Sequence, residues 1–121
     1  MMTTQDDPLV EAQSNVQRML THAEEALGSM EPDEAQSHVH DALRFGEQAR
    51  GLLEEALDST DDEQELLHTE QALDLVEEAL DQANQALLSS ESAMREHMQR
   101  MTYQAGKAAS EIQRVFGLGI G

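Results

Sequence analysis

Residues 66–101 read LLHTEQALDLVEEALDQANQALLSSESAMREHMQRM. Leu66, Leu73, Leu80, Leu87, Met94 and Met101 recur every seven residues, and Thr69, Val76, Ala83, Ser90 and His97 run beside them. Side chains three and four residues apart share one face of a helix, so this is a heptad-like seam. Ala72, Ala79, Ala86 and Ala93 flank the leucines and widen the stripe to bundle width. Ala108 and Val115 carry the count on, although the companion positions turn polar after Leu87.

Whether this stretch is one helix or two decides the architecture. No Gly or Pro interrupts LLSSES (Leu87–Ser92), and the register stays in phase across it. That continuity predicts one helix over about residues 61–116, spanning roughly 80 Å, whose second half would need another chain to cover it. The rival is a compact antiparallel four-helix bundle with segments of about 21, 27, 28 and 25 residues.

N-terminal to the seam, Asp7 and Pro8 have the form of an N-cap followed by a first-turn proline. Leu9, Ala12, Val16, Met19, Leu20, Ala23, Ala26 and Leu27 then follow helical spacing, and Gly28 is a stop. Pro32, with Asp33 and Glu34, restarts the pattern at the positive end of a second helix dipole. Ala35, Val39, Ala42, Leu43, Gly46, Ala49, Leu53, Ala56 and Leu57 line one side of it. Gly46, on that apolar side, implies close approach of another helix. Thr60 and Glu63 have the form of a capping box for the next helix.

Composition agrees with an all-α fold. Apolar residues make up 39% of the 121, and Phe45, Phe116 and Tyr103 are the only aromatic side chains. A core of Leu, Ala, Val and Met suits helices better than strands. The expected fold is an antiparallel bundle of three or four amphipathic helices with a long, heptad-patterned C-terminal helix. Without cysteine, disulfides, thiolate metal sites and cysteine nucleophiles are excluded. The N-terminus lacks a basic, apolar leader, and no segment approaches the roughly 18 apolar residues of a membrane span. A soluble, cytoplasmic protein that does not bind membranes is expected.

The net charge is −18 and uneven. Residues 1–91 carry 23 acids against Arg18, Arg44 and Arg50, a balance of −20; residues 92–121 carry Glu96 and Glu111 against Arg95, Arg100, Lys107 and Arg114, a balance of +2. The chain therefore divides into an acidic helical body, 1–91, and a near-neutral Met-rich helix, 92–121. The body repels nucleic acid, so no nucleic-acid partner is expected.

The tail ends VFGLGIG. Its glycines should stop the helix and leave Val115, Phe116, Leu118 and Ile120 in a flexible apolar tip. No nucleophile elbow or phosphate loop is present, so neither enzyme activity nor a cofactor is expected. The primary reading is an interaction or assembly protein. Its partner-binding face would be Met94, Met98, Met101, Ala105, Ala108, Ile112, Val115, Phe116, Leu118 and Ile120, framed by Arg95, Arg100 and Arg114. The partner would be a second copy or another helical protein.

Two alternatives come from the residue chemistry. Met19-x-x-His22 and Met94-x-x-His97, with Met98 and Met101, offer thioether and imidazole ligands that suit soft cations such as Cu(I). The acidic body could also act as a decoy for a basic or DNA-binding protein. Glu65-x-x-His68 has the di-iron carboxylate spacing but no second copy to complete a site, and His38 and His40 point apart on a helix.

Overall fold

A computed structural model describes the backbone of residues 7–120 and the side chains of residues 7–117. Four helices account for nearly all of it: α1 (Pro8–Gly28), α2 (Pro32–Ser59), α3 (Glu63–Leu87) and α4 (Glu91–Ile120). Each connection is three residues long, which forces consecutive helices to lie antiparallel. Packing runs α1–α2, α2–α3, α3–α4 and α4–α1, so the helices form a closed square. The α1–α2 and α4 starts share one end of it, because Arg95 Nη1 donates to Leu27 O at 2.8 Å. At the other end Gln13 Nε2 donates to Ala109 O at 3.2 Å and Gln113 Oε1 at 3.1 Å.

Of the two expected architectures the chain forms the antiparallel four-helix bundle and not the single long helix: it turns at Leu88–Ser90. Leu88 N and Ser89 N donate to Gln85 O and Ala86 O at 3.1 and 3.2 Å, Ser89 Oγ caps Gln85 O at 2.6 Å, and α4 restarts with Met94 N on Ser90 O. A seven-residue count is blind to a turn that uses three of the seven. Breaking the helix forfeits a few backbone hydrogen bonds at about 1 kcal/mol net each. Folding back buries Met94, Met98, Met101, Ile112 and Val115, at roughly 1.5–3 kcal/mol apiece. Burial wins.

The core also inverts the expected order within α3. Thr69, Ala72, Val76, Ala79, Ala83 and Ala86 form its buried line with Leu80, while Leu66, Leu73 and Leu87 are only half-buried. Small residues at the centre allow close helix approach, and the leucines cover the borders between helices. Gly46 shows the closeness directly: a Cβ there would lie 2.7 Å from Leu80 Cδ2 and 2.7 Å from Met19 Sδ. Here α1, α2 and α3 meet.

The helix starts follow the sequence in part. Asp7 accepts from Leu9 N at 3.0 Å ahead of Pro8. Pro32 opens α2, although Glu31 at its N-cap makes no side-chain capping bond. For α3 the cap is Asp62, whose Oδ1 accepts from Gln64 N at 2.8 Å and Glu65 N at 3.2 Å. Thr60, expected to cap with Glu63, instead donates to Glu65 Oε1 at 3.1 Å, because it sits too far before the first helical residue. The α4 backbone continues past Gly117 and Gly119, and no glycine among the described residues takes the positive φ of a left-handed cap. The side chains of Leu118 and Ile120, placed in the expected apolar tip, lie outside the described residues.

Candidate functional site

The face expected to seek a partner is covered by the chain itself. Met94, Met98, Met101, Ala105, Ala108, Ile112 and Val115 are all buried, and Phe116 is half-buried against the same core. The periodicity identified an apolar face correctly but not what covers it: α1 and α3 do so once the chain turns at Leu88. Arg95 does not frame an open surface either; it neutralises the C-terminal end of α1 through Leu27 O.

One stretch of that face, though buried, closes the floor of a surface groove. At the end of the bundle that holds the α1–α2 and α3–α4 connections, a groove of about 360 Å3 runs between the α1–α2 turn and the start of α4. Leu27, Met30, Pro32, Met94 and Met98 supply its apolar lining, and Glu31, Glu91 and Arg95 stand among its polar groups. Met30 is 93% exposed and Leu88, in the other connection at this end, is 88% exposed. No other large apolar side chain among the described residues is as open. Sequence reasoning named Met94 and Met98 but missed Met30, since a lone methionine in a turn carries no periodic signal.

The soft-metal set is not brought together. His22 faces α2, where its Nδ1 lies 3.2 Å from His38 Nδ1. His97 faces α3, with Nδ1 2.7 Å from Gln82 Oε1. The two imidazoles therefore diverge, while Met19, Met98 and Met101 are fully buried as core packing. Glu65 and His68 also separate: Glu65 accepts from Thr60, and His68 Nδ1 meets Glu111 Oε1 on α4 at 2.7 Å. With Gln104 Nε2 donating to Glu78 Oε1 at 3.2 Å, the His68–Glu111 and His97–Gln82 contacts tie the border of α3 and α4. Polar ties of this kind fix register between helices.

Charge is segregated by helix. Residues 32–87 carry 16 acids against Arg44 and Arg50, and α3 carries seven acids with no Lys or Arg; α4 carries Glu91, Glu96 and Glu111 against its four bases. Among the described residues the only Arg ion pairs are Arg44–Asp41 and Arg114–Glu111, each at 3.3 Å within one helix. The α2–α3 carboxylates are thus left largely without basic partners, and their field projects outward.

Among the described residues, His22, Glu25 and His38 form the one group of three His or carboxylate ligands with converging donor atoms. The available signal was a pair of i, i+3 motifs, His22-x-x-Glu25 and His38-x-x-Asp41, on helices that become antiparallel neighbours. No described helix is long and apolar enough to cross a membrane. Comparison with protein-family models, curated proteins and solved structures found no match to this chain.

Proposed function

We propose that this protein is a non-enzymatic docking module that receives a partner protein segment in the groove beside the start of α4. The observation that carries this reading is the pairing of Met30, almost fully exposed, with a groove lined by Met94 and Met98. Methionine is flexible and polarisable, so such a lining adapts to an inserted apolar side chain. Glu31 and Glu91 outnumber Arg95 in the lining, Arg95 is already engaged by Leu27 O, and with the −18 net charge behind them they favour an occupant of opposite sign. The partner is therefore a basic segment, helical in the simplest case, with one or two apolar anchors. Electrostatic attraction speeds encounter and rejects acidic competitors, and apolar insertion sets the lifetime. The docking role stays on the C-terminal helix but contracts to its first two turns.

The seven methionines provide the test. With 13C-labelled methionine methyls, the full chain is titrated with a synthetic Leu/Lys amphipathic peptide and with its Leu/Glu counterpart. The Leu/Lys peptide should shift Met30, Met94 and Met98 and leave Met19 and Met101 in place. Met30→Ser should weaken binding by about tenfold, roughly 1.4 kcal/mol, without altering thermal stability. Equal affinity for both peptides, or binding indifferent to Met30→Ser, would overturn the proposal.

A further inference from the structure

The α1–α2 border carries a second constellation, separate from the groove. Residues three apart on a helix sit one turn above one another. His22-x-x-Glu25 on α1 therefore sets an imidazole beside a carboxylate, His38-x-x-Asp41 on α2 repeats the spacing, and the antiparallel hairpin brings His38 to both His22 and Glu25. His22 Nδ1 lies 3.2 Å from His38 Nδ1, His22 Nδ1 lies 3.4 Å from Glu25 Oε1, and His38 Nδ1 lies 3.3 Å from Glu25 Oε1. The three donor atoms form a nearly equilateral triangle. A bridging proton can join only two of them; a divalent cation joins all three.

The triangle's size selects a coordination geometry. Zinc binds His nitrogen and carboxylate oxygen at about 2.0–2.2 Å, which sets tetrahedral ligand-to-ligand edges of about 3.3–3.6 Å. Octahedral coordination at the same bond lengths would need edges of about 2.8–3.1 Å. The observed edges of 3.2–3.4 Å lie nearer the tetrahedral range than the octahedral one. Two imidazoles beside one carboxylate also favour first-row transition metals over calcium or magnesium, which prefer cages of oxygen.

The surroundings hold the triangle in place. The Phe45 ring stacks on His22 with centroids 5.5 Å apart and planes 7° apart, fixing the imidazole's orientation. Arg18 and Arg44 each sit 5.6 Å from the Phe45 ring centroid. Asp41 Oδ2 lies 3.9 Å from His22 Nδ1, beyond a tetrahedral ligand edge, and its Oδ1 is held by Arg44 at 3.3 Å, so Asp41 stands outside the triangle. Glu31 and Glu34 share a shallow pocket with Glu25 and His38, which adds negative field at the entrance. Both imidazoles are about one-quarter exposed, so the position is reachable from solvent.

We propose that His22, Glu25 and His38 form a tetrahedral site for a zinc-class divalent transition metal, with a water in the fourth position. The proposal uses neither Met94 nor Met98 and stands or falls apart from the docking reading. Its bound ion joins α1 to α2 less than two turns from the connection that carries Met30.

The test uses the full-length, tag-free, metal-stripped chain. Zinc is titrated against a chromophoric chelator, and Co(II) is added as a spectroscopic probe. The expected result is one ion per chain at micromolar affinity or tighter, with the intense visible bands of four-coordinate Co(II). His22→Ala and His38→Ala should each weaken binding by about 100-fold, at or beyond the upper end of outer-shell losses. His97→Ala, which removes an imidazole outside the triangle, should leave affinity unchanged. Glu25→Gln keeps side-chain size and should abolish the four-coordinate spectrum, so it decides the matter if an alanine variant fails to fold. Absence of micromolar binding, a six-coordinate Co(II) spectrum, or wild-type affinity in the variants would overturn the proposal.

Discussion

The inner face of α4 and the α1–α2 border at His22 lie on the same bundle but use opposite chemistry. The α4 face is Met98, Met101, Ala105, Ala108 and Ile112, fully buried and without a polar side-chain atom. Its contribution is apolar burial, which is non-directional and independent of pH. The α1–α2 border places two imidazoles and two carboxylates at a half-exposed edge, where burial gives little and geometry decides. A substitution on the first surface should change stability and leave ligand chemistry alone; a substitution on the second should do the reverse. The same contrast explains why a helix with an uninterrupted apolar stripe need not have an external partner. The stripe reports that something covers the face, and here that cover belongs to the same chain.

Met101→Ala is the strongest attempt to break this contrast. Met101 is fully buried at the middle of α4. Truncation should destabilise the fold by about 2–5 kcal/mol, read as a lower urea midpoint with an unchanged slope. Solution mass by light scattering should stay at the 13.4 kDa monomer for wild type and variant alike. A variant that kept its stability but altered the mass would return the α4 face to an intermolecular role.

The helix starts sharpen the comparison between the two hairpins. Asp62 caps α3 with two backbone donors, Gln64 N and Glu65 N, whereas Asp7 caps α1 with one, Leu9 N. Asp62→Ala should lower stability by about 1 kcal/mol, and Asp7→Ala by less. Equal losses in thermal denaturation would show that geometry at Asp62 adds nothing to the presence of a carboxylate.

These particulars mark how far the sequence could be read. Helix positions were legible where punctuation was chemical: Asp7 and Pro8, Gly28, and Pro32. The turn at Leu88–Ser90 was legible only as the rival to a continuous helix, since serines interrupt a helix without the signature of Gly or Pro and the apolar count resumes in phase. The Ala-centred core of α3 was misread because Leu and Ala stripes lie side by side on a helix, and only the crossing geometry says which points inward. For the docking groove, Met94 and Met98 were legible as apolar, but Met30 gained meaning only when two connections met at one end. The histidine pair was hidden for a related reason. His22 and His38 are on different helices, and their matching i, i+3 carboxylates become informative only after α1 and α2 are known to be antiparallel.

A pair of effects of opposite sign tests the centre of the bundle. Gly46 and Gly51 lie on the same helix, one buried and one exposed. A Cβ at Gly51 meets nothing within 4 Å, so Gly51→Ala should gain helix propensity and stabilise by about 0.5–1 kcal/mol. The same gain applies at Gly46, but a Cβ there lies 2.7 Å from both Leu80 Cδ2 and Met19 Sδ. Those atoms end flexible side chains, yet Met19 is fully buried and Leu80 nearly so, and overpacking of this kind costs about 1–3 kcal/mol. Gly46→Ala should therefore lose stability, from almost nothing to about 2 kcal/mol, and never match Gly51→Ala. Paired urea denaturation of the two variants measures the difference with the propensity term cancelled. If both variants gained equally, α1, α2 and α3 would have to be farther apart at Gly46 than the closed square places them.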